Sequence, residues 1–152
     1  MGKEFFGGKA RRKALLGVKL DRATAVLPAT TYGALFTITG GRVILTSLVG
    51  EVTTICSATA TNLKITATPT TGTAVDVTAN LAIASKEVGC LFGIGVFAAA
   101  TIGANAGATT LPLPVIIPIG TLGLTTSATN TGSVKWSATY IPYDDDAEMT
   151  VA

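Results

Sequence analysis

The feature that most constrains this chain is the texture of residues 23–143. Short runs rich in Thr, Val and Ile are cut by Gly, Pro and Asn turn signals, with almost no helical period. β-Branched side chains suit a pleated surface, and they lose rotamer freedom in a helix. In Leu35-Phe36-Thr37-Ile38-Thr39, Phe36 and Ile38 share one face and the threonines the other. Gly40-Gly41 then reads as a hairpin turn into a strand from Arg42 to Val49. A third run spans Glu51 to Ser57. A fourth, Asn62 to Thr68, alternates Leu63, Ile65 and Ala67 with Lys64, Thr66 and Thr68. Pro69-Thr70-Thr71-Gly72 is a turn, because proline fixes φ and glycine frees it. Thr73 to Ala84 reads as one strand with Val75, Val77, Ala79, Leu81 and Ile83 on one face.

Val88 to Phe97 is apolar on both faces, as a buried or interface strand would be, and Ala98 to Thr110 reads as a small-residue loop. Val115 to Ile119 and Thr121 to Thr126 follow as short strands. After the turn Thr129-Asn130-Thr131-Gly132, Ser133 to Tyr140 closes the sheet with Val134, Trp136, Ala138 and Tyr140 on one face. About eight to ten short strands with regular turns predict an all-β fold, an antiparallel β-sandwich or jelly roll with an extended N-terminal arm.

The chain has 152 residues, which fits one domain. Charged residues make up 13% of it, against about 25% in ordinary globular proteins. With 48% hydrophobic residues, so few charges imply that part of the surface is covered by partners. The charges also concentrate at the two ends. Residues 1–22 hold Lys3, Lys9, Arg11, Arg12, Lys13, Lys19 and Arg22 against Glu4 and Asp21, and the other end holds Asp144, Asp145, Asp146 and Glu148. This divides the chain into a basic N-terminal arm (1–22), a β-sandwich body (23–143) and an acidic C-terminal tail (144–152).

Chemistry is sparsely provided. With no histidine, a Ser-His-Asp or Cys-His arrangement cannot be built from this chain. Glu51, Asp76 and Glu87 are the body's only carboxylates, and they have no signature spacing for paired acid–base work. Gly93-Ile94-Gly95 with Ala98 matches a dinucleotide fingerprint only formally, since no strand-then-helix unit surrounds it. The acidic end lacks the glycine and carboxylate spacing of a calcium loop. Cys56 and Cys90 read as buried small hydrophobes, with a bridge left open. The expectation is a non-enzyme without cofactor or metal. The uncharged stretch 88–134 is broken by glycines and prolines where a spanning helix needs about 20 apolar residues, so no membrane partner is expected.

The basic arm is the strongest local signal. Lys3, Lys9, Arg11, Arg12, Lys13 and Lys19 are the candidate partner-binding residues. Residues 9–16 suit either a short helix or a segment that orders on meeting a partner. Phe5 and Phe6 precede the cluster instead of interleaving with it, unlike a base-stacking platform. The body adds no basic face. An acidic protein surface is therefore the expected partner, with nucleic acid the weaker candidate.

Leu35 to Val43, Leu48-Val49-Gly50-Glu51-Val52-Thr53-Thr54, Asn62-Leu63-Lys64 through Pro69-Thr70-Thr71-Gly72, and Ser127 to Trp136 together resemble a family of small virion structural proteins of tailed bacteriophages. The resemblance covers roughly residues 20 to 143 and lies in turn and strand sequences, not in chemical motifs. It implies a capsid decoration or cement protein in the virion, on the capsid surface, made in the host cytoplasm. Such a protein forms a homo-oligomer, a trimer first among the options, and binds the major capsid protein or another virion protein through its arm. The alternatives are a tail or head–tail connector component and, from another class, a carbohydrate- or cell-binding β-sandwich. The last would want exposed aromatic platforms, and the chain has a single tryptophan, placed in a regular strand.

Overall fold

The computed structural model describes residues 8–94, 102–105 and 114–152. Helix α1 (Gly8–Leu16) leads into β1 (Val18–Asp21), β2 (Ala25–Val26), β3 (Tyr32–Thr39), β4 (Val43–Thr54), β5 (Asn62–Pro69), β6 (Val75–Asp76) and β7 (Leu81–Ala82). Then come β8 (Leu91–Ile94), β9 (Ile102–Asn105), β10 (Val115–Ile117), β11 (Gly120–Thr126), β12 (Ser133–Pro142) and β13 (Glu148–Val151). The fold is all-β, as expected. Two antiparallel sheets, not closed into a barrel, give a sandwich-like arrangement. One runs β1-β12-β4-β8-β9, with β2 also on β12 and β10 also on β4; the other runs β13-β3-β11-β5-β6, with β7 also on β5.

The core forms where apolar faces of the two sheets meet. Val134, Trp136, Ala138 and Tyr140 of β12 are buried, as their alternation predicts, and so are Leu63, Ile65 and Ala67 of β5 and Phe36 and Ile38 of β3. Trp136 lies opposite Gly50 of β4, where an added Cβ would fall 2.9 Å from the indole ring. The missing side chain makes room for the chain's largest one. On the same sheet, Phe92 meets the indole at a centroid distance of 6.3 Å.

Several expectations change with the topology. Gly40-Gly41 does not close a hairpin, because β3 and β4 belong to different sheets. Gly40 takes φ +72°, and a Cβ there would collide with the Asp146 carbonyl oxygen. The pair therefore serves an inter-sheet crossing pressed against a distant segment. The strand expected over residues 73–84 is broken into β6 and β7. Between them Val77 and Thr78 both donate backbone N–H groups to the Ile65 carbonyl, and the Thr78 hydroxyl accepts from Ile65 N (2.8 Å). That side-chain bond takes the place of a ladder bond. Strand β12 does not close its sheet but lies inside it, between β1 and β4. Of the described residues of the expected strand 88–97, only Leu91–Ile94 form β8. Val88 and Gly89 lie in a turn where the Cys90 N–H donates to the Glu87 carbonyl at 3.1 Å, and backbone 102–105 within the expected loop is strand β9. Residues 95–101 and 106–113 lie outside the described residues.

The ends also differ from their reading by charge. Residues 18–21 of the expected arm pair with β12 from Val18↔Tyr140 to Asp21↔Ser137, because Val18 and Leu20 alternate with Lys19 and Asp21. Residues 148–151 of the expected tail pair with β3, with Met149 buried between exposed Glu148 and Thr150.

Candidate functional site

The candidate arm residues fall into three groups. Lys3 lies outside the described residues. Lys9, Arg11, Arg12 and Lys13 share α1, whose sequence GKARRKALL contains no acidic residue. Lys19 sits on β1 and pairs with Asp21 at 2.6 Å, on the sheet and apart from the helix cluster. Its hydrogen bond, with help from Ser137, holds the Asp21 carboxyl below its usual range.

Helix α1 buries none of its residues, and Leu15 is 77% exposed. Ala10, Ala14 and Leu15 lie with Arg11 and Lys13 around one shallow hollow, an apolar strip edged by cations. The C-terminal end of the helix is fastened to the sheet. Gly17 stops it at φ +82°, donating its N–H to the Lys13 carbonyl at 3.0 Å, a left-handed cap. A Cβ on Gly17 would collide with the Tyr140 carbonyl oxygen, so the chain passes closer to β12 than any other residue permits.

A bulge completes the anchor. Ser47 pairs with Thr139 and Leu45 with Tyr140, which leaves Thr46 as the extra residue of β4. The Thr46 hydroxyl donates to the Leu16 carbonyl at 2.6 Å. Thr46 and Thr139 hydroxyls are 2.7 Å apart, and Ser47 and Thr139 hydroxyls 2.6 Å. Each hydroxyl has one proton, and the Leu16 oxygen only accepts. The donors therefore run in one direction, Ser47 to Thr139 to Thr46 to Leu16. This chain of largely buried hydroxyls holds the helix end on the sheet.

The acidic end is partly committed to the fold. Arg42 grips Asp144 bidentately, Nε to Oδ2 at 3.0 Å and Nη2 to Oδ1 at 2.9 Å, while its backbone N–H donates to Oδ2 at 2.7 Å. The guanidinium also lies 4.7 Å over the Tyr143 ring. These Arg42 hydrogen bonds bring the Asp144 carboxyl down to about 2. Asp145, Asp146 and Glu148 are exposed.

Comparison with protein-family models, with curated proteins and with solved structures finds no match.

The remaining titratable candidates are scattered. Asp76 is tied to Lys64 at 2.7 Å and accepts from the Thr66 hydroxyl at 3.1 Å, which lowers its carboxyl. Glu51 lies across from Lys135 on β12 and is exposed, as is Glu87. Cys56 and Cys90 are free thiols, and burial pushes the Cys56 thiol up. Among the described residues no group of three or more Cys, Asp or Glu is placed to hold a metal ion, and no helix is long and apolar enough to cross a membrane. Sequence reading missed the anchor. Its one local signal was Gly17 at the end of a helix-forming run, and the hydroxyl chain depends on a bulge that no local pattern announces.

Proposed function

We propose that the chain is a structural assembly protein of the virion, a capsid decoration or cement protein without catalytic activity. It associates with its own copies, as a trimer first among the options, and ties itself to the major capsid protein or another virion protein through α1. In this reading the sandwich is a jelly-roll-like module with an extended N-terminal arm. The virion assignment rests on the resemblance of residues 20–143 to small phage structural proteins.

The observation that carries the reading is a basic nine-residue helix that buries nothing yet is fixed at one end. Isolated helices shorter than about 12–15 residues are marginal in water. Such a helix gains its stability from a surface laid against it, and α1 offers an apolar strip framed by cations. That suits an acidic protein surface with apolar patches. Exposed Val75 and Ile116 add a second apolar area, in one hollow that spans the two sheets. Many modest contacts on a repeating lattice combine into firm attachment.

The test is attachment of purified protein to capsids assembled without it, measured by co-sedimentation. Replacing Lys9, Arg11, Arg12 and Lys13 together by Gln removes the charge and spares β1, which a deletion through residue 22 would not. The variant is expected to fold and to lose attachment. Undiminished attachment by the folded variant refutes the role of the helix. Binding to DNA that falls steeply with salt, without capsid attachment, would instead favour a nucleic-acid role.

A further inference from the structure

Arg22 follows β1 and donates its backbone N–H to the Trp136 carbonyl at 2.8 Å. Its side chain lines a cavity of about 160 Å³ together with Leu27, Leu35, Leu124, Val134 and Trp136. Leu35 and Leu124 come from one sheet and Val134 and Trp136 from the other, so the cavity enters the sandwich between them. Val26, 65% exposed, also lines it, so the cavity borders the surface. The Nε of Arg22 is fully buried and meets no acceptor among the described residues. A buried donor left unmade is costly, more so on a charged group. A carboxylate entering beside the Arg22 guanidinium gains a charge-assisted bond.

The space beside this cation is apolar and the size of one aromatic ring, since a cavity of ~150 Å³ accepts benzene. The wanted ligand is therefore a carboxylate next to a phenyl group. The chain carries that chemistry once near its start. Glu4 is the only carboxylate before Asp21, and Phe5 and Phe6 follow it directly. These three residues lie outside the described ones. Helix α1, which carries the segment, lines no part of the cavity.

We propose that this cavity receives the Glu4-Phe5-Phe6 segment of a second copy of the chain. One phenyl ring enters between the sheets, and the Glu4 carboxylate pairs with the Arg22 guanidinium. The inference deepens the self-association part of the function proposed above and rests on it. It makes each copy both the donor of a segment and its receptor, so the contact is heterologous and can propagate or close into a ring.

Trp136 is the chain's only tryptophan and lines the cavity, so its fluorescence reports occupancy. The receptor is the full chain carrying Phe5→Ala and Phe6→Ala, which removes its own competing segment. The probe is a peptide of residues 1–8 with a blocked C-terminus. A saturable change in Trp136 emission is expected. Glu4→Gln in the peptide, or Arg22→Gln in the receptor, should weaken it at least about tenfold, as loss of a charged hydrogen bond implies. A Glu4→Arg peptide should recover binding to an Arg22→Glu receptor. If the Arg22 variants fail to fold, the peptide series on the Phe-substituted receptor decides alone. No saturable change at millimolar peptide, or equal binding of a peptide lacking both phenyl rings, overturns the inference. In that case an oligomeric wild-type chain leaves the assembly proposal standing. A monomeric wild-type chain that still binds the peptide overturns the second copy as occupant. Free benzoate binding as tightly as the peptide overturns the segment as the ligand.

Discussion

Replacing Asn130 by Ala should destabilise the protein by about 3 kcal/mol, although the side chain is small and lies in a turn. Asn130 is 1% exposed. Its Oδ1 accepts from Ser57 N at 2.9 Å and Gly132 N at 3.0 Å, and its Nδ2 donates to the Ser57 carbonyl at 3.4 Å and the Thr61 hydroxyl at 3.3 Å. Ser57 and Thr61 belong to the crossing from β4 to β5, and Asn130 to the crossing from β11 to β12. One amide thus joins two connections between the sheets. Removal leaves two backbone donors without an acceptor, at about 1–3 kcal/mol each when buried. Ser57 is half-buried, so water recovers part of its share. The two long Nδ2 bonds add little, which brings the total to about 3 kcal/mol. Each kcal/mol moves the melting midpoint of a chain this long by about 2–4 °C, so a fall of about 6–12 °C is expected. Urea unfolding should show a lower midpoint at unchanged slope. Replacing the neighbouring exposed Thr131 by Ala should stay within about 0.5 kcal/mol. A loss below 1 kcal/mol for Asn130→Ala would refute the claim that the two crossings depend on this amide.

Three further outcomes follow from the geometry. Gly17→Ala places a side chain at positive φ against the Tyr140 carbonyl; it should cost at least about 1–2 kcal/mol, seen by thermal melting, and should release α1, seen as lost helical signal. Gly50→Ala crowds the Trp136 ring and should cost about 1–3 kcal/mol with a shift in tryptophan emission; unchanged emission and melting would refute the close approach. The Asp144 carboxyl, held down by Arg42, should titrate near 2 by carboxyl-carbon NMR and rise toward the ordinary carboxylate range in Arg42→Gln, which removes the guanidinium bonds and keeps the backbone N–H bond. Because its folded value is depressed, its stabilising contribution is present above the ordinary carboxylate range and disappears as pH falls through about 2. An unchanged midpoint in Arg42→Gln would refute that coupling.

The inner face of β12 was legible because Val134, Trp136, Ala138 and Tyr140 alternate without interruption. Strand β4 was less so: the extra Thr46 shifts its buried set from Val43 and Leu45 to Leu48, Gly50 and Val52, and a bulge has no local signature. The two ends were misread because charge was weighed above period. Val18 and Leu20, and likewise Ala147 and Met149, carry the two-residue alternation of half-buried strands despite their charged neighbours. The deeper failure concerns pairing. Gly40-Gly41 marks a reversal correctly, yet a turn signal says nothing about which sheet receives the next strand.

That limit also explains why the cavity beside Arg22 was invisible in the sequence. From β2 to β5, and again from β10 to β13, each strand passes to the sheet opposite its predecessor. Residues far apart in sequence, such as Leu35, Leu124 and Trp136, therefore meet at the cavity. Arg22 looked like one more cation of a basic arm. Its position after β1, tied through its backbone to Trp136, separates it from that arm and turns it into the charged lining of an apolar space. The same chain then presents two unlike elements: an exposed cationic helix suited to an acidic surface, and a half-enclosed cation suited to a single carboxylate beside a ring. If both are used, attachment to a lattice and association between copies are separable. Neutralising α1 should abolish the first while leaving Trp136 responsive to the peptide of residues 1–8. Loss of both responses in a folded α1 variant would show that the two contacts are one.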